Sequence, residues 1–392
     1  MRAGIDKRAM TALAAGHLGT DFANGSLPAL LPFFVDRFSL TYTLAATLML
    51  ASAASSSLIQ PVFGLWSDRR GAIWLLPAGV AIAGIGIALA AAAPSYWLVL
   101  LLVVVSGVGV AAYHPEGSKF AAYASGRRRA SGMSAFSIGG NLGFALGPIA
   151  ATPLVLWFGF RGGLLLALPC LAIAALLFAL TPFLRSFVPE SGARRAVEGE
   201  DRIGALTLLL AVIGFRSLAW WGLLTFVPLW EVSLGHSKSH GNHLLSLMLL
   251  VGGVGTIVVG PAADRFGRRP VLLVSLVAAG PLILAFVAVG GFIGAAALAL
   301  VGICVVGTFG LTMVMSQEYL PRHIGMASGL SIGLSIGLGG VAAVGLGALA
   351  DSVDLRAALY VCAAAPVAAL VLTLLLPSTR VRGRLEPEVA VP

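Results

Sequence analysis

Charge is scarce in this sequence. Only 10% of its 392 residues are charged, while 58% are hydrophobic and the mean hydropathy is +0.97. So few charged groups cannot cover a soluble core, which argues against a soluble globular domain; a bilayer supplies the apolar solvent instead. Cysteine is nearly absent as well. Cys170, Cys304 and Cys362 each sit inside an apolar run, which argues against a disulfide framework or a metal knuckle. No G-x-x-x-x-G-K-[ST] run occurs, so direct use of ATP is not expected. No nucleophile–base pair or metal set is apparent, so neither an enzyme nor a bound cofactor is expected. The net charge of +9 lies in short breaks between apolar runs and forms no continuous face, which removes nucleic acid as a partner. A signal peptide is not expected either, because the first apolar run is too long for one and carries Asp21.

What the sequence has is length in apolar runs. Twelve segments are expected to span a bilayer as helices: 9–35, 41–65, 72–93, 96–118, 130–158, 161–182, 203–230, 243–263, 270–291, 293–319, 323–350 and 356–377. Each is long enough for ~30 Å of hydrocarbon, and helices satisfy their own backbone, as lipid requires. The 49 glycines suit close packing of such helices. Of the 25 basic residues, 20 fall in segments on the side of the N-terminus. Four lie opposite (Arg37, Arg161, Lys238 and Arg356), and Arg216 lies inside a helix. The positive-inside rule then expects both termini in the cytoplasm, here of a bacterial inner membrane. Trp66, Trp74, Trp97, Trp157 and Trp230 fall near the expected interfaces.

The fold class read from this pattern is an all-α membrane protein of two pseudo-symmetric six-helix bundles. The long polar break from Arg185 to Arg202 divides the chain. Residues 1–182 form the expected N-terminal bundle, 183–202 a cytoplasmic linker, 203–380 the C-terminal bundle and 381–392 a tail. An internal duplication supports the division. GLWSDRRG at 64–71 matches GPAADRFG at 260–267, and Ser137-Ile138-Gly139 matches Ser331-Ile332-Gly333 at almost the same offset.

Gly260 through Arg269 (GPAADRFGRR) resembles the loop motif of the major facilitator superfamily. The first copy keeps Gly64, Asp68, Arg69 and Gly71 but has Ala72 at a usually basic position. Within that superfamily the chain resembles the fosmidomycin-resistance family of exporters over almost its whole length. The matching segments are His17-Leu18 with Asp21, Ser56 to Pro61, Tyr113-His114-Pro115-Glu116 and Gly139-Gly140-Asn141 through Gly147-Pro148. In the second half they are Gln317 to Pro321 and Gly339-Gly340. The resemblance implies two bundles around a central cavity, alternating access, and proton-coupled efflux of drugs. It also implies a gating role for Asp68, Arg69, Asp264, Arg265, Arg268 and Arg269, whose alternative is orientation by positive charge alone.

Several polar residues fall where lipid would penalise them. Asp21, mid-helix, is the candidate proton carrier, and His17 four residues earlier shares its face. The alternative is a carboxylate that merely bonds neighbouring helices. Arg216 in helix 7 is expected to face Asp21 across the pathway or to clamp an anionic cargo, with Trp220 one turn on able to stack on the guanidinium. A static ion pair is the alternative. Gln60 and Asn141 are candidate cargo contacts, although helix–helix hydrogen bonding suits them too. His114, Glu116 and Glu318 lie near helix ends as gate residues or static caps. Gly139, Gly140, Gly143, Gly147 and Pro148 form a packing motif, read equally well as ordinary small-residue contact. His236, His240 and His243 in an outer loop have spacings that zinc can use, but Lys238 and Gly241 weaken the set, and a solvated loop without metal is the expectation.

The function expected is that of a monomeric secondary transporter exporting a small anionic or amphipathic compound against protons. An importer or facilitator of the same fold remains open, as does a membrane sensor that moves nothing.

Overall fold

In the computed structural model the described residues are 4–126, 128–187 and 200–377, without the side chains of 68–70, 129–130, 323–325 and 328. The sequence offers them little but apolar runs broken by Gly, Pro, Ser and Asp, and the described residues form helices with no strand. In chain order these are α1 (Lys7–Phe38), α2 (Tyr42–Arg70), α3 (Leu75–Ala92), α4 (Tyr96–Ala124), α5 (Arg129–Phe158) and α6 (Ala167–Arg185). The second half holds α7 (Ile203–Ser233), α8 (Lys238–Phe266), α9 (Arg268–Val289), α10 (Gly291–Val305), α11 (Phe309–Tyr319), α12 (Ile324–Ser352) and α13 (Leu355–Leu374). Side-chain N-caps start many of them: Asp6, Thr41, Ser95, Ser237 and Asp354 each accept from a backbone N–H of the first turn.

Among the described residues eleven spans are long and apolar enough to cross a membrane, with α10 and α11 together forming one. The twelfth is α1. Its 32 residues reach about 48 Å, but His17, Thr20, Asp21, Asn24 and Ser26 dilute its middle. More than half of its residues are buried. Two departures from the sequence expectation stand out. The sixth segment begins as a 3-10 turn, Phe160–Leu166, and the tenth is broken between Val305 and Phe309. At that break Gly307 lies against α8, where a Cβ would come within 3.1 Å of Gly255 and 3.0 Å of Val259.

In the first half α1 packs along α5, α3 along α4 and α6, and α2 along α4. In the second half α7 packs on α12 and α13, α8 on α10, and α9 on α10 and α13. The halves meet chiefly through α2 with α12 and α5 with α8. Three polar clusters join them. Asp351 of α12 accepts from Tyr42 N (2.7 Å), Thr43 N (2.9 Å) and Thr43 Oγ1 (2.6 Å) of α2. Lys238 of α8 pairs with Asp36 of α1. Asn242 donates to Ala29 O at 3.0 Å and Thr152 Oγ1 at 2.8 Å. All three lie on the side away from the termini, called the far side below. Residues 188–199 of the expected linker and the expected tail lie outside the described residues.

Candidate functional site

Asp21 lies mid-way along α1, one turn from His17, so both side chains fall on one face. α4 crosses that face and brings a third group, His114. The Asp21 carboxylate lies 3.3 Å from His17 Nε2 through Oδ2 and 3.4 Å from His114 Nε2 through Oδ1. α5 closes the cluster from the other side. Phe136 stacks on the His17 ring, with centroids 4.2 Å apart and planes at 18°. Gly140 leaves the room the cluster occupies, since a Cβ there would come within 2.5 Å of the imidazole and 2.6 Å of Asp21 Oδ2. The side chains of His17, Asp21 and His114 are 12%, 15% and 22% exposed. They are neither sealed nor in bulk solvent.

The ring hydrogen bonds decide what this cluster can do. His17 Nδ1 lies 2.9 Å from Phe136 O, and His114 Nδ1 lies 2.8 Å from Val110 O. A carbonyl only accepts, so both Nδ1 atoms carry hydrogen and donate. Both Nε2 atoms are then left to face the carboxylate. Without a further proton each contact sets lone pair against lone pair; with one it becomes a hydrogen bond. The two contacts therefore have places for two protons, and the cluster's charge runs from −1 when empty to +1 when filled.

His114 was grouped from sequence with the gate residues. In the structure α4 turns it inward to Asp21, while Glu116, two residues on, points elsewhere. Glu116 is buried, pairs with Lys119 at 2.8 Å and accepts from Ser67 of α2, which also contacts Lys119. Asp68 and Arg69 follow Ser67, and their side chains lie outside the described ones.

Arg216 does not meet Asp21, which corrects the expected pair: the acid's partners are the two imidazoles. Arg216 is 4% exposed in the core of the second half. Its NH1 donates to Val305 O at 2.7 Å, the carbonyl at the α10–α11 break, and its Nε is buried without a partner. A broken helix leaves carbonyls that lipid cannot satisfy, and the guanidinium supplies a donor. Phe309, not Trp220, lies under it, 5.5 Å from ring centroid to Cζ. Trp220 instead approaches Phe144 of α5, across the boundary between halves, with centroids 6.4 Å apart. No spacing links Phe309 to Arg216 in sequence; only the break in the tenth crossing does.

Asn141 faces Gly253 of α8 where the halves meet, and Gln60 is half-buried on α2. Gly139, Gly143 and Gly147 lie against α1, where a Cβ would come within 2.1, 2.2 and 2.5 Å of its backbone; Pro148 follows within α5. Their repeat counterparts Gly333 and Gly337 face open space. The second loop motif binds within its own half. Arg268 pairs with Glu318, and Arg269 donates to Thr373 O at 3.2 Å and Leu374 O at 2.5 Å, capping α13. Arg265 lies over Phe266, and Asp264 is exposed.

The family model described as Major Facilitator Superfamily matches residues 13–330, with a further match over 209–391. The chain belongs to the major facilitator superfamily. Among curated major facilitator proteins it is 32% identical to an uncharacterized MFS-type transporter, YfnC, of Bacillus subtilis, covering 92% of this chain and 91% of that one. It is 29% identical to the fosmidomycin resistance protein of Escherichia coli, covering 94% and 92%. Solved major facilitator structures share its fold. A bacterial homolog of the human lysosomal transporter Spinster, inward-facing and occupied, superposes with a TM-score of 0.74 at 16% identity, covering 96% of this chain and 98% of that one. The transporter FucP in the outward conformation gives 0.65 at 16%, covering 94% and 99%. The protein is a multi-pass membrane transporter, not an enzyme.

Proposed function

We propose that this major facilitator protein exports a small anionic compound, a phosphonate-like antimetabolite among them, in exchange for protons. One observation carries the reading: a carboxylate inside the bundle meets two imidazoles whose outer nitrogens are already committed to carbonyls. A static ion pair needs one histidine. Two, each able to receive a proton only on the side facing Asp21, make a store that fills from one side and empties to the other.

The cargo class rests on Arg216. A guanidinium in membrane-buried packing, bonded to a backbone carbonyl and holding an orphaned Nε, is costly until an anion reaches it. A phosphonate or carboxylate matches its fork. The relative named for fosmidomycin resistance supports the same class. The proton cluster belongs to α1, α4 and α5 and the guanidinium to α7, so each half carries one partner of the exchange. The far-side contacts of Asp351, Lys238 and Asn242 hold one access route shut while the termini side, taken as cytoplasmic by the positive-inside rule, lacks such bridges among the polar contacts described.

The test is transport in inverted vesicles of the bacterial inner membrane with an imposed pH gradient. Asp21→Asn is expected to insert normally and to abolish gradient-driven accumulation of a phosphonate. Unchanged coupling in that variant removes the proposal.

A further inference from the structure

A second group of titratable side chains lies on the far side, at the end of α7 and the start of α8. Glu231 closes α7 as a buried carboxylate, 5% exposed. His236 Nδ1 lies 2.5 Å and His240 Nε2 3.5 Å from the same oxygen, Oε2. The two rings meet edge-on with centroids 4.9 Å apart, and the three donor atoms all lie within 4.8 Å of one another. We propose that Glu231, His236 and His240 form a binding site for a divalent transition-metal ion, Zn2+ foremost.

The donor chemistry fits. Two imidazoles and a carboxylate suit Zn2+, with a water as fourth ligand. Tetrahedral bonds of about 2.0–2.1 Å put neighbouring ligand atoms about 3.3–3.4 Å apart. His240 and Glu231 already stand near that separation. His236 has to open by roughly 0.8 Å to reach it, a small ring rotation. Both imidazoles are half exposed, which frees them to turn and leaves the ion a path from solvent.

The features that count against a zinc site in the sequence become supports in the structure. Lys238 turns away to Asp36 and the Phe33 ring, so its charge is neutralised elsewhere. Gly241 is what lets α8 lie against Glu231, because a Cβ there would come within 3.0 Å of the Pro228 backbone and 3.1 Å of Glu231 Cβ. His243 is exposed and takes no part; Glu231, distant in composition from any histidine motif, replaces it. The positive end of α8 opposes a cation, but Ser237 Oγ already accepts the His240 N–H at 3.1 Å, and the Glu231 carboxylate supplies negative charge at that point.

The site also has a place in the machine. Lys238 and Asn242 flank His240 and reach into the first half, to Asp36, Ala29 and Thr152. An ion that ties His240 to the end of α7 holds that turn of α8 in place and keeps the far side closed. Ion binding itself is independent of cargo and of proton coupling.

The experiment uses full-length protein in nanodiscs with the affinity tag removed, titrated with ZnCl2 calorimetrically and with CoCl2 by visible absorption. The expected result is one ion per chain with tetrahedral cobalt bands. His236→Ala and His240→Ala are each expected to weaken binding at least about tenfold, as loss of even an outer-sphere partner does. Both histidines are exposed, so these variants keep the fold, and His243→Ala and His114→Ala are expected to bind as the parent. The site is overturned by absence of saturable binding, by unchanged affinity in the two variants, or by equal loss in His243→Ala. Zn2+ is further expected to shrink the long-distance population between spin labels on cysteines placed at the exposed positions Trp97 and Val353, and an unchanged distribution overturns the closing role.

Discussion

Asp351 is the sharpest place to test the proposal that contacts between the halves hold the far side shut. Its carboxylate takes up the first two N–H groups of α2 and the Thr43 hydroxyl, at 2.6–2.9 Å, from the opposite half of the molecule. Those N–H groups have no partner within α2, and the carboxylate also meets the positive end of that helix. When the halves part, water replaces the carboxylate, so each bond counts for its net value of about 1 kcal/mol rather than its gross strength. Asp351 is exposed, and solvent screening lowers the sum from about 3 to about 2 kcal/mol. Asp351→Ala should then shift the closed-to-open equilibrium roughly 30-fold toward opening, and Asp351→Asn, with one acceptor oxygen left, by less. The assay is a spin-label distance across the far side, between cysteines at the exposed positions Trp97 and Leu234. A longer-distance population growing in the order parent, Asn, Ala is expected. An unchanged distribution in Asp351→Ala would refute the assignment of this contact as a latch.

Gly140→Ala places a methyl within 2.5 Å of His17 and 2.6 Å of Asp21, so it should cut proton-coupled flux about five- to 150-fold, on overpacking costs of about 1–3 kcal/mol. Gly333→Ala, facing open space, should leave flux unchanged in the same vesicle assay. Arg216→Gln should weaken an anionic cargo about tenfold or more while a neutral analogue changes little, read by competition binding; equal losses would assign Arg216 to capping the α10–α11 break alone. Lys119→Met strands the buried Glu116 carboxylate and should destabilise by about 2–4 kcal/mol, whereas Glu116→Gln leaves a partly exposed ammonium and should cost about 1 kcal/mol; thermal unfolding in detergent gives the ranking.

The all-helical membrane fold was legible because it rests on local, additive properties. Apolar length makes a spanning helix wherever it occurs, and a repeat offset survives in residue type. Family membership was legible for the same reason, through short runs such as GPAADRFGRR. The pairing of His17 with Asp21 was legible too, since helical spacing alone puts them on one face.

What the sequence by itself determined, then, is a transporter of this superfamily with an acid and a histidine side by side in its first helix. Only tertiary structure decided that His114 joins them, that Arg216 caps a broken helix instead of meeting Asp21, that Phe309 displaces Trp220 beneath it, and that Glu231 gathers two of the three loop histidines. Each of these depends on how one helix crosses another. A crossing is set by glycines such as Gly140 and Gly241, whose absent side chains admit a neighbour without naming which neighbour arrives.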